Sequence, residues 1–477
     1  MSDEGALVQL SVVETHISLS ALLLLASMAG WRRAVAAVSL LHGWVPAAVF
    51  VIGAVAMVCA ALRRPRWWRR QLPLALTVGT AVAAATHWYL RREVGQSGPL
   101  PAWVWLTCAV AACVVAASGW RKDLWWRRTA AITAAVSCAL AAGLVLNQSA
   151  GYVPTVSAAW TALTKGPLPD QTDSATVRAM PRGVMPPHGA VVSVDISADA
   201  SKFRHRGELV YLPPSWFVTT PPPRLPVVMM IGAEINTPAD WIRAGAAVST
   251  ADAFAAAHAG FAPVLVFADS GGAFGIDTEC VNSSRGNADD HLTRDIIPYV
   301  ASTFDVSRDR ANWGVDGFST GGTCAVGLAV RHPELFRAFV DIAGDLGPNV
   351  GTKEETIARL YGGNAAAWAN FDPSTVISQN LYNGLSGRFV VADGSDPTAN
   401  VGGQDVAAHS LCALGRAHGI DCDLHTQPGG HDWQFAAEAF AAALPWLAAT
   451  LAAPGNPCAD GSARPAPIAA KSIAGCR

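Results

Sequence analysis

Gly317-Phe318-Ser319-Thr320-Gly321 joins an apolar, extended run at 311–318 to a small-residue run at 320–332 that Pro333 stops. Glycine at both ends of a G-x-S-x-G pentapeptide permits the tight strand-to-helix turn that lifts a serine hydroxyl out of a sheet. The pattern predicts a strand, a sharp turn and a helix in that order, which is the building unit of a layered α/β fold. An ordinary Gly/Ser turn has the same composition, so the reading depends on what else the chain supplies.

It supplies an acid and then a histidine. The apolar run 388–392 is followed by Asp393-Gly394-Ser395-Asp396, and the run 422–427 by Pro428-Gly429-Gly430-His431-Asp432-Trp433. An unassisted hydroxyl is a poor nucleophile at neutral pH, so His431 is the candidate base for the Ser319 proton. Asp396 is the candidate that orients the imidazole; Asp393 and Asp405 compete for that role. Acyl chemistry also needs donors for a developing oxyanion. The backbone N–H of Thr320 is one candidate, and the Ala233 amide, just past the apolar run 226–231, is the other.

Three segments carry a family resemblance. Gly207-Glu208-Leu209-Val210-Tyr211-Leu212-Pro213-Pro214, the Ser319 turn with its helix ending Arg331-His332-Pro333-Glu334-Leu335-Phe336, and the Gly-Gly-His-Asp-Trp loop resemble the esterase D and antigen 85 mycolyltransferase branch of the α/β-hydrolases. The similarity covers about 188–450. It implies a serine acyl hydrolase or acyltransferase with neither metal nor organic cofactor. Two departures argue against mycolyl transfer to trehalose. The acid loop offers aspartates where that group has a glutamate, and Ile231-Gly232-Ala233-Glu234 stands in place of its Asp-Gly-Leu-Arg segment.

Composition divides the chain in two. About 150 residues of Ala/Val/Leu runs, interrupted by Arg- and Trp-rich knots, precede a mixed sequence, and the whole is 51% apolar with a net charge of −2. A near-neutral chain gives no footprint for nucleic acid. Spans of about twenty apolar residues suited to a bilayer are expected at 13–31, 44–62, 72–90, 102–120 and 129–147, with an interfacial helix the alternative for the first. Arg63, Arg64, Arg66, Arg69 and Arg70 crowd one connection, and Arg121, Lys122, Arg127 and Arg128 another. Positive-inside logic makes these two loops cytoplasmic, so the catalytic part is expected outside the cell membrane, facing the envelope.

The expected organisation is a transmembrane bundle at 1–150, a linker at 151–187, an α/β-hydrolase domain at 188–452 and an irregular tail at 453–477. Strands are expected at 207–213, 226–232, 263–268, 311–318, 338–343, 387–392 and 421–427. Six cysteines lie in the catalytic part. On an oxidising side of a membrane, Cys412 with Cys422 and Cys458 with Cys476 are expected as local bridges, and Cys324 as a buried thiol. No Walker loop, dinucleotide fingerprint, paired CxxC or HExxH occurs, which argues against nucleotide, flavin or zinc chemistry.

The expectation is a membrane-anchored serine esterase that meets acyl esters or glycolipids at the bilayer. The alternatives are a mycolyltransferase-like acyltransferase working between envelope glycolipids, or a catalytically silent envelope scaffold. Loops at 232–240 and 269–280 are expected to line the mouth; their Gly, Ala and Phe content suits neutral acyl esters better than S-formylglutathione.

Overall fold

The computed structural model describes residues 38–62, 65–93, 98–119, 124–164, 166, 168–180, 182–235, 237–273, 275–396, 399–400 and 402–451. The chain forms two compact units, one comprising Met1–Ala83 with Pro99–Gly166 and the other Ala84–Gly98 with Pro167–Arg477.

In the first unit the long Ala/Val/Leu runs are helical. Three described helices, Trp44–Ala61, Leu100–Ser118 and Trp125–Ala150, are long and apolar enough to cross a membrane. They overlie the spans expected at 44–62, 102–120 and 129–147. The span expected at 72–90 lies within the helix Pro65–Glu93, whose Thr, Gln and Arg content makes it less apolar than the other three. The span expected at 13–31 falls outside the described residues. Small side chains form the contacts between helices, with Ala60, Ala75, Ala111 and Ala131 in one cluster and Ala56, Ala112 and Ala134 in another. Such small residues let helix backbones approach closely. Val51, Ile52, Val55 and Val58 face outward.

The second unit is built on a nine-stranded sheet. Its strands are β1 (Gln171–Asp173), β2 (Ala190–Val194), β3 (Glu208–Leu212), β4 (Val227–Ile231), β5 (Val264–Ala268), β8 (Trp313–Phe318), β9 (Ala338–Ile342), β10 (Ser386–Ala392) and β11 (Asp421–Gln427); β6 (Asn282–Ser283) and β7 (Gly286–Asn287) form a separate hairpin. The order is β1-β2-β3-β5-β4-β8-β9-β10-β11. Only β3 runs against its neighbours; the pairings from β5 to β11 are all parallel. The central strands are buried along their whole length, as their near-continuous Val, Ile, Met and Phe content requires when helices cover both faces. The chain passes from β4 outward to β5 on one side, and from β8 outward to β9 on the other. A crevice therefore opens at the carboxyl ends of β4 and β8.

All seven expected strands are present. In the stretch 151–187, expected as a tether or a short juxtamembrane helix followed by a flexible stretch, the structure has a helix at Val156–Leu163, the edge strand β1 and a helix at Ser174–Ala179. Gln171-Thr172-Asp173 carries no apolar alternation, and β1 is held to β2 by backbone pairing and the Gln171–Ser193 side-chain hydrogen bond, so composition gave it no signal. The buried Cys324 is bonded to Cys280, not free as expected: the elbow helix Thr320–Arg331 brings the two Cα atoms within 5.6 Å across 44 residues. The Cys412–Cys422 bridge is present, while Cys458, Cys476 and the tail lie outside the described residues.

One contact fixes how the elbow helix meets the sheet. A Cβ on Gly321 would stand 2.2 Å from the Ile231 carbonyl oxygen and 2.7 Å from that of Gly232, both backbone atoms that cannot yield. Gly321→Ala is therefore expected to destabilise the protein by about 2–3 kcal/mol. Gly327, on the same helix, has nothing nearer than Arg331 Nη2 at 4.0 Å. There Gly327→Ala should gain about 0.5–1 kcal/mol from helix propensity. Urea unfolding followed by tryptophan fluorescence checks both, and equal effects of the two substitutions would contradict the packing described.

Candidate active site

The sheet delivers its candidate functional side chains at the carboxyl ends of its strands, from loops that follow β8, β10 and β11. Ser319 immediately follows β8 and adopts φ 58°, ψ −122°, a backbone region that costs a non-glycine residue about 1–3 kcal/mol. Its surroundings over-determine it. The Ser319 N–H donates to Ile342 O at 2.8 Å, and its carbonyl accepts from the Gly322 and Thr323 amides at 2.8 and 3.1 Å. The turn leaves the hydroxyl pointing away from the sheet and puts the Thr320 N–H at the start of a helix, where no intrahelical acceptor exists for it.

His431 reaches this hydroxyl from the far side of β9 and β10. Its Nε2 lies 2.9 Å from Ser319 Oγ. Two neighbours hold the loop. Gly429 takes φ 144°, and Asp432 caps the helix Trp433–Thr450 by accepting from the Phe435 amide at 2.9 Å. The imidazole rests against Phe318 at 5.1 Å between ring centroids, and Trp433 packs on the same phenyl ring at 5.3 Å. Burial in this apolar wall lowers the His431 pKa below its ordinary value, while Asp345 and Asp432 pull in the opposite direction.

The carboxylates are arranged less simply than the sequence suggests. Asp396 follows β10 as expected, and its Oδ2 lies 3.4 Å from where a Cβ on Gly430 would stand, beside the histidine loop. The Nδ1 of His431 is buried and makes no hydrogen bond among the described residues. Asp393 is exposed and accepts from the Ser395 amide at 2.9 Å, and Asp405 sits in the first turn of the helix Gln404–Ala417. Sequence reasoning missed Asp345, which follows β9. Its backbone N–H donates to Thr323 Oγ1 at 2.8 Å, and its carboxylate accepts from Gln404 at 3.1 Å and Asn349 at 3.2 Å.

Ala233 lies two residues beyond β4, next to the Ile231 and Gly232 carbonyls on which Gly321 rests. The following residue, Glu234, is pushed up to about 8, first by burial and then by Asp277, with Arg285 opposing. Burial thus favours the protonated form of a glutamic acid in the loop that ends beside the serine turn.

A cavity of about 670 Å³ includes Asp345 in its wall and continues along Leu346, Trp368, Asp372, Val406 and Ala407. Its walls come from the segment after β9 and from the helix Gln404–Ala417; neither Ser319 nor His431 lines it, so it leaves open the expectation that the 232–240 and 269–280 loops form the mouth. In the latter loop Gly271 and Gly272 turn inward, their amides donating to the Asp269 carboxylate.

A strained serine on a strand-to-helix turn, a histidine within hydrogen-bonding distance of it and this strand order define an α/β-hydrolase. A family model for Esterase matches residues 203–447, and the chain belongs to that family. An uncharacterized protein of Corynebacterium glutamicum is 31% identical over 270 residues, a match that spans 54% of this chain and 62% of that relative. Similar solved structures include a ferulic acid esterase (18% identity, 55% of this chain and 97% of the other, TM-score 0.45). Others are an S-formylglutathione hydrolase from Agrobacterium tumefaciens (18%, 55% and 95%, TM-score 0.44) and MPT51 of Mycobacterium tuberculosis (20%, 54% and 100%, TM-score 0.39).

The two displaced groups set a pH profile. Because burial lowers the His431 pKa, the base stays neutral below the ordinary histidine range, and the acid limb of kcat/KM on a neutral ester should fall below pH ~6.5. Because Glu234 ionises near 8, activity should decline above that pH as negative charge enters the loop; Glu234→Gln should abolish this alkaline decline and leave the acid limb in place. An unchanged alkaline limb in Glu234→Gln would contradict the assignment.

Proposed function

We propose that this chain is a membrane-anchored serine acyl hydrolase whose substrates are neutral acyl esters of the cell envelope. The observation that carries the reading is the 2.9 Å approach of His431 Nε2 to the hydroxyl of a backbone-strained Ser319. In the proposed cycle His431 Nε2 takes the Ser319 proton as Oγ attacks the ester carbonyl carbon. The carbonyl oxygen becomes an oxyanion facing the Thr320 and Ala233 amides, and each such donor is worth about 10²–10³ in rate. Collapse breaks the bond to the alcohol, which leaves with the proton from His431. Water, or a sugar hydroxyl in a transfer reaction, then repeats the sequence in reverse on the acyl-enzyme, regenerating Ser319.

Asp396 is proposed to complete the triad by reaching Nδ1 of His431, since hydrogen bonds of this kind often tighten only when substrate is bound. The nearness of its carboxylate to Gly430 supports this. Asp345 would act through the field at His431, its oxygens being taken by Gln404 and Asn349. A protonated Glu234 keeps a negative charge away from the oxyanion. The 670 Å³ cavity is of a size to hold an acyl chain or the alcohol part of the ester.

Three apolar helices support anchoring in a bilayer, which would present lipidated substrates at high local concentration. Two disulfides in the hydrolase unit favour the extracytoplasmic side, where such bonds persist.

Turnover of a short-chain ester series by the purified full chain tests the reading. Ser319→Ala and His431→Ala should each lower kcat by at least about 10³-fold, since members of such a unit are not additive. Asp396→Asn should cost more than Asp345→Asn, and S-formylglutathione should be a poor substrate. Retention of more than about a hundredth of wild-type activity in Ser319→Ala would point to another nucleophile.

A further inference from the structure

Away from the serine, three segments distant in sequence bring two imidazoles to one buried carboxylate. Glu208 is the first residue of β3, His205 lies in the loop before it, and His291 begins a π-helical turn, His291–Ile296. Glu208 and His291 are fully buried, and the His205 side chain keeps 12% exposure. His205 Nδ1 stands 2.8 Å and His291 Nε2 3.0 Å from the same oxygen, Glu208 Oε1. The two rings stack at 4.2 Å between centroids. Glu208 Oε2 is buried without a hydrogen-bond partner. A carboxylate with half its acceptor capacity unmet is costly to bury, so something further is expected at this point.

The outer contacts are those of a ligand set. The other nitrogen of His291 faces Asp295 Oδ2 at 3.2 Å; His205 is also hydrogen-bonded to the backbone of Ile196, and its Nδ1 lies 2.9 Å from the Arg206 carbonyl oxygen as well as near Glu208. Asp295 is fixed in turn by the amides of Ala200 and Ser201 at 2.9 and 3.3 Å. Metal-binding histidines characteristically tie their far nitrogen to a carboxylate or carbonyl, which sets the tautomer and aims the near lone pair. The candidate ligand atoms of His205, Glu208 and His291 all lie within 4.8 Å of one another. Neighbouring ligand atoms in a tetrahedral zinc site stand about 3.3 Å apart, as follows from metal–nitrogen bonds of about 2.0–2.1 Å.

We propose that His205, Glu208 and His291 form a structural site for one divalent transition-metal ion, with zinc the best match to a two-imidazole, one-carboxylate donor set. A water would complete the coordination. The site lies apart from the ester chemistry. Its role would be to clamp the 195–207 segment to the helical segment that begins at Ala288, and Arg206, between two of the ligands, is paired with Asp269 at the head of the 269–280 loop. No local sequence motif marks the site, because the ligands come from β3, the loop before it and a helical segment more than eighty residues away.

The test uses the full chain in detergent, stripped with a chelator and titrated with zinc chloride, read by calorimetry and by metal content after dialysis. One equivalent per chain should bind in the wild type. The unfolding midpoint should rise by about 5 °C at saturating zinc. His205→Gln and Glu208→Gln should each weaken binding by at least about 10-fold and abolish the thermal shift. If Glu208→Gln fails to fold, His205→Gln, partly exposed, decides alone, with circular dichroism as the check on folding. A folded wild type that takes up no zinc, or a His205→Gln chain that binds and shifts like the wild type, would overturn the site and leave two imidazoles sharing a carboxylate through protons.

Discussion

The seating of the elbow helix on the end of β4 sets the geometry on which the rest of the hydrolase unit depends. Because Gly321 has no side chain, the helix N-terminus comes down onto the carbonyls of Ile231 and Gly232. The backbone between β8 and that helix must then turn within one residue, and Ser319 takes up the strain at φ 58°. Its amide is pinned to Ile342 on β9, so the strained residue cannot relax toward either neighbouring strand. One close contact thus orients the hydroxyl, aims the first helical amide and brings the β4 loop alongside. The loops after β9, β10 and β11 then supply polar groups to a point that is already fixed.

Burial does much of the electrostatic work around that point. It favours neutral His431 and neutral Glu234, two effects of opposite sign on the charge each would otherwise carry. Asp341, fully buried on β9 and accepting from the Gly344 amide, is pushed up to about 7, and the partnerless Asp316 on β8 is pushed well above the usual carboxylate range. Asp277 and Glu279 are raised by burial together with neighbouring carboxylates. Burial and mutual repulsion thus disfavour the charged form in several of these clustered carboxylates.

The sequence made the central strands legible because they are runs of Val, Ile, Met and Phe bounded by Gly and Pro, and each lies within two residues of its expected ends. The placement of Ser319, Asp396 and His431 in segments that follow β8, β10 and β11 was legible from the strand pattern. Features set by long-range contact were not. Nothing local marks Asp345, which acts on His431 only through the fold, and nothing links Cys280 with Cys324 until the segment after β5 meets the elbow helix. The cavity wall is formed by short helices after β9 whose Ala-rich and polar composition resembles a surface loop. The β1 strand has no apolar pattern of its own, so only its pairing with β2 reveals it.

The central claim is that Ser319 is a nucleophile because the turn strains it and His431 deprotonates it. The most direct measurement is covalent trapping: the full chain is treated with a fluorophosphonate, digested, and the modified residue located by mass spectrometry, with His431→Ala run in parallel. The account predicts stoichiometric modification of the wild type at Ser319, and labelling of His431→Ala slowed by at least about 10²-fold. Modification at another residue, or labelling of Ser319 at the same rate with and without His431, would contradict it.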